Sequence, residues 1–95
     1  MDQGPIVTIH LLSPLRPYAG GAAQLEVTAS TVRAALEVLE RTAPTLYPNL
    51  CDETGTLRRH LNVFVNADNI RDLGGVDTPL QAGDVIAFLP AVSGG

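Results

Sequence analysis

Two glycines, Gly94 and Gly95, end the segment AVSGG, which follows directly on the apolar run VIAFLP. Such an ending arises by chance in roughly one chain in two hundred, so on its own it raises a question rather than answering one. The other groups with reactive potential are sparse. Cys51 is the single cysteine, which excludes an intramolecular disulfide, and no CxxC pair or cysteine and histidine cluster is spaced to hold zinc. Nothing near Cys51 in sequence would lower its pKa, so it reads as an ordinary loop or core thiol. His10 and His60 have no carboxylate at ligand spacing and are assigned no chemistry. Gly20 and Gly21 are not followed by GK[ST] or a helix start, so they read as a turn rather than a phosphate loop. Gly74 and Gly75 also read as a turn, and Asp84 shapes the turn into the last apolar run.

The chain of 95 residues is long enough for one domain with its own core. Its formal charge is −4 and its six basic residues, all arginine, are scattered. This distribution argues against a phosphate-backbone footprint and so against a nucleic-acid partner. The opening MDQGPIVTIHLL lacks a basic leader segment, and its apolar run is too short for a secretion signal or a spanning helix. A cytoplasmic, reducing location without membrane attachment is expected, with no bound metal.

The elements that must position the diglycine follow from periodicity. IVTIHLL alternates, with Val7, Ile9 and Leu11 on one face, and QLEVT supplies Leu25 and Val27 at strand spacing. The two make a hairpin across the loop SPLRPYAGG. Ser30 is positioned to cap a helix over residues 31–43, with Val32, Ala35, Leu36, Leu39 and Ala43 as its apolar stripe and Pro44 as its stop. Residues 45–60 read as a long polar loop with room for a helical turn, anchored by Tyr47 and Leu50. LNVFVN alternates again, but Phe64 falls on the face of Asn62 and Asn66. NADN is then a turn, IRDL a short edge strand, and residues 84–89 a last strand apolar on both sides, as a central strand should be. Strand, strand, helix, strand, short strand, strand is an α+β order that suits a ubiquitin-like β-grasp, a mixed sheet of four to five strands crossed by one main helix. The expected division is a domain over residues 1–90 and a flexible tail over residues 91–95.

In LSPLRPYAGG, in NVFVNADNIRDL followed by GD, and in LPAVSGG, the chain resembles the MoaD/ThiS family, which joins the molybdopterin-synthase small subunit and the thiamin sulfur carrier. Within it the longer CysO-like members are nearest in look. The resemblance spans nearly the whole chain and is weakest over residues 45–60. It implies a non-enzymatic sulfur carrier whose terminal glycine carboxylate, Gly95, is adenylated and then converted to a thiocarboxylate. The adenylation is the work of a partner of the ubiquitin-activating type, which uses ATP and Mg²⁺, while the carrier binds no cofactor. The chemistry agrees: an α-carboxylate with a pKa of roughly 3.5 is ionised at pH 7 and inert to nucleophiles until activated. Without Cβ atoms, Gly94 and Gly95 suit a narrow channel. Five extended residues, Ala91, Val92, Ser93 and the two glycines, reach at most about 18 Å from Pro90, which stiffens their point of departure. In relatives the position matching Leu89 contacts the partner enzyme. The alternation adds Phe64 to the same exposed patch, and the alternative places Phe64 in a minor core beneath residues 45–60.

The acceptor stays open. A CysO-like carrier would deliver sulfur to a cysteine synthase-like enzyme, and a molybdopterin-synthase small subunit to the large subunit of that enzyme. A ubiquitin-like modifier would use the same activated terminus on protein lysines, although without lysine of its own the chain cannot form lysine-linked polymers. A plain β-grasp interaction module is the remaining class.

Overall fold

The computed structural model describes residues 4–90. The expected tail, residues 91–95, and the sites assigned to it at Ala91, Val92, Ser93, Gly94 and Gly95 lie outside the described residues.

Five strands form one mixed sheet: β1 (Ile6–Leu11), β2 (Gln24–Thr28), β3 (Leu61–Val65), β4 (Asp68–Asn69) and β5 (Val85–Pro90). Their order is β2-β1-β5-β3-β4. β5 is parallel to β1, with Ile9 opposite Ile86 and Leu11 opposite Phe88, and antiparallel to β3, with Val63 opposite Phe88. The last strand is therefore central, as its two apolar faces require. The β-grasp expectation holds.

One face of the sheet carries Val7, Ile9, Leu11, Val27, Leu61, Val63, Val65, Ile86 and Phe88, all buried. Helix α1 (Val32–Thr42) lays Val32, Ala35, Leu36 and Leu39 on that face. At roughly 1.5–3 kcal/mol for each large aliphatic, this burial outweighs the modest propensity of the segment. The cap is Thr31, not Ser30: the Thr31 hydroxyl accepts the Ala34 N–H at 3.0 Å. Ser30 sits one residue too early, and its carbonyl instead accepts the Leu80 N–H. Pro44, which has no N–H to offer, follows the Ala43 cap directly.

Three further expectations are revised. The SPLRPYA segment, Ser13–Ala19, is a 3₁₀ turn with Leu15 buried, where a plain loop was expected. IRDL is not a strand: pairing with β3 is confined to Asp68 and Asn69, and Ile70–Asp72 winds into a 3₁₀ turn capped by the Asn69 side chain. Residues 45–60 contain the helical turn and the Leu50 anchor that were expected, but are more ordered than a long polar loop. They hold helix α2 (Tyr47–Leu50), a bridge between Cys51 and Leu57, and a buried Leu46 beside Leu50, while Tyr47 is only half-buried.

Candidate functional site

The site is assembled around the end of β5. Because Ile86 and Phe88 point to the core, Val85, Ala87 and Leu89 must point to the opposite face. Register places Leu89 opposite Asn62, Ala87 opposite both Phe64 and His10, and Thr8 opposite Val85. All of these side chains are half-buried. Phe64 and Leu89 thus share the face turned away from α1, and the alternative of a minor core for Phe64 falls, because α2 and the segment after it lie on the helix side. Pro90, opposite Leu61, is exposed as the last residue of β5.

The start of β5 is held by a polar lock. Asn66 has φ 57°, a left-handed conformation that Asn tolerates better than most residues. Its N–H donates to the Val85 carbonyl at 2.7 Å, its Oδ1 accepts the Val85 N–H at 3.0 Å, and its Nδ2 donates to Asp84 Oδ1 at 3.1 Å. The other Asp84 oxygen accepts the Gln81 N–H at 2.8 Å and closes the turn through Gly83, at φ 89°. Asp84 shapes this turn as expected. Asn66, which the sequence reading used to define a face and to begin the NADN turn, extends the β3–β5 ladder past the Val65 and Ile86 pair; an Asn at a turn was the available signal.

Cys51 is fully buried, and burial pushes its thiol up despite a hydrogen bond from Tyr47 that acts the other way. Tyr47 is itself pushed up to about 12, first by desolvation and then by Cys51, Glu40 and Asp52. A thiol so placed is a packing group, not a nucleophile. Asp52 is held below the usual carboxylate range by the Thr54 hydroxyl, then by the Thr56 and Thr54 N–H groups. These residues border a groove of about 850 Å³ between α1 and the segment after α2. His60 is exposed at the residue before β3, and His10 is half-buried within the outer patch. Among the described residues no group of three His, Cys, Asp or Glu could hold a metal ion, and no helix is long and apolar enough to cross a membrane.

The ThiS family model matches residues 9–95. The chain belongs to the ThiS family. It is 34% identical over 91 residues to the sulfur carrier protein CysO of Mycobacterium tuberculosis, covering 94% of this chain and 98% of the relative. The crystal structure of M. tuberculosis CysO superposes with a TM-score of 0.81 at 33% identity, over 90% of this chain and 99% of that one. The CysO of Amycolatopsis orientalis, solved in a BexX/CysO complex, gives 0.83 at 32% identity, over 94% and 99%. The small archaeal modifier protein 1 of Methanosarcina acetivorans gives 0.84 at 31%, over 96% and 97%. The protein is thus a small ThiS-family sulfur carrier with a β-grasp fold, and its part in sulfur transfer is that of a carrier rather than a catalyst.

Proposed function

We propose that the carrier works through the α-carboxyl of Gly95. A carboxylate oxygen attacks the α-phosphorus of ATP on a ubiquitin-activating-type adenylyltransferase, and pyrophosphate leaves with its Mg²⁺. Sulfide then displaces AMP from the acyl carbon, giving a thiocarboxylate. Its sulfur is anionic at pH 7 and attacks an electrophile inside a second enzyme. The observation that carries this reading is the path of β5: a central strand, fixed at both edges, runs to Pro90 beside the outer patch of Phe64, Ala87 and Leu89 and hands the chain on to residues 91–95. A rigid body with an apolar docking face and a short glycine-ended segment divides binding from chemistry. The likeness to CysO supports an activated serine derivative as acceptor, on a cysteine synthase-like enzyme.

The test is mass spectrometry of the protein after incubation with its adenylating enzyme, ATP, Mg²⁺ and a sulfide source. One oxygen-for-sulfur exchange at Gly95 is expected, and it is lost when Gly95 is deleted or one residue is added after it. Equal thiolation of the extended, untrimmed protein overturns the assignment. The likeness to the archaeal modifier protein favours a second reading, conjugation of Gly95 to lysines of other proteins. Isopeptide-linked products in place of the thiocarboxylate would mark it.

A further inference from the structure

The ladder between β1 and β2 fixes where each main-chain group of β2 points. Leu11 N–H donates to the Ala23 carbonyl at 2.8 Å and Ala29 N–H to the Pro5 carbonyl at 2.9 Å. Both pairs continue the register in which Val7 faces Val27 and Ile9 faces Leu25. The odd-numbered residues of β2 therefore turn their N–H and C=O toward β1, and Gln24, Glu26 and Thr28 turn theirs away. β1 obeys the same alternation on its other side, where Thr8 N–H reaches the Asp84 carbonyl and Gly83 N–H reaches the Ile6 carbonyl. Since β2 stands at the sheet margin with β1 as its neighbour, the main-chain groups of Gln24, Glu26 and Thr28 form an open ladder.

Beside this margin, on the helix side, runs a second groove of about 400 Å³, lined by Tyr18, Leu25, Val27, Leu39, Ala43 and Pro44 among others. Tyr18 is 42% exposed, one of three large hydrophobics so placed among the described residues. An open ladder supplies main-chain affinity, and a flanking apolar groove receives every second side chain of an added strand.

We propose that the β2 margin takes an extended segment of a partner protein as a sixth strand, with apolar side chains in the groove and a basic side chain beside Glu26 on the outer face. Charge selects this occupant. Glu26 is the one charged side chain of β2 and lies at its centre, exposed. A second copy pairing antiparallel about Glu26 would set two carboxylates side by side, which is destabilising. The chain's own residues 91–95, AVSGG, contain no cation to offer. The added strand leaves Phe64 and Leu89 uncovered, so this partner and the one docked on the outer patch bind together.

The probe is an N-acetylated seven-residue peptide of alternating valine and threonine with a central arginine, titrated into the full-length ¹⁵N-labelled protein. Saturable shifts at the Gln24, Glu26 and Thr28 amides are expected, with slowed hydrogen exchange at all three. N-methylation of alternate peptide amides should weaken binding about tenfold or more, because the ladder donors are lost. Glu26→Lys should reverse the preference between the arginine peptide and its glutamate analogue. Equal binding of the methylated peptide, shifts confined to Thr8, Phe64 and Ala87, or no saturable shift would each overturn the proposal.

Discussion

At the scale of single residues, Cys51 and Tyr47 separate packing from chemistry. The sulfur proposed at Gly95 rides on the main chain, so Cys51→Ala should leave thiocarboxylate formation unchanged while lowering stability by on the order of 1 kcal/mol, as loss of a buried atom does. Thiolation assays and urea midpoints on the same sample check both halves. Tyr47 gives a pH dependence whose sign is fixed. Its phenol is pushed from 10.0 to about 12 by burial first and then by Cys51 and the nearby carboxylates. In the unfolded chain the proton leaves first, so the contribution of Tyr47 is complete below pH 10 and is lost as pH rises toward 12. Urea midpoints measured across that window should fall less steeply in Tyr47→Phe than in the native protein.

Among the elements, α1 and the β3–β5 junction can each be probed by one substitution. Thr31→Ala removes the acceptor for the Ala34 N–H and should cost about 1 kcal/mol, whereas Ser30→Ala, which retains the Ser30 carbonyl bond to Leu80, should be close to neutral. Thermal melts of the pair distinguish the cap from its neighbour. Asn66→Ala loses two side-chain hydrogen bonds and places a Cβ-bearing residue with little αL tolerance at φ 57°. A loss of about 1–3 kcal/mol is expected, with faster hydrogen exchange at Val85, the strand that leads to the proposed sulfur site.

For the molecule as a whole, the sheet has one face committed to α1 and one face available to a partner. Leu89→Glu and Phe64→Glu put a charge on the available face, so partner affinity should fall about tenfold or more while circular dichroism is unchanged. Unfolding of either variant would return that residue to the core. The six arginines and the absence of lysine act at this scale as well: a chain activated at Gly95, as proposed, would find no lysine on another copy to acylate.

Alternation by itself divided β1, β3 and β5 into two sets of residues, because a period of two leaves no other choice, but for β5, apolar on both sides, only the packed sheet shows that Ile86 and Phe88 are the set that meets the helix. The spacing of Val32, Ala35, Leu36 and Leu39 likewise determined the buried stripe of α1, and the joined motifs from Asn62 to the diglycine determined the family. The tertiary structure alone decided the rest. Whether Ser30 or Thr31 capped the helix depended on a side-chain geometry that both residue types can adopt, and on the pairing that engages the Ser30 carbonyl with Leu80. Leu50 was legible as an anchor, but Leu46 and Cys51 became core only because α2 folds back toward α1, a contact without local periodicity. IRDL lost its strand because pairing with β3 stops at Asn69, whose side chain caps a turn instead. The open margin of β2 could be read only from the ladder, since the direction of a main-chain N–H follows from the partner strand and not from the side chain it accompanies.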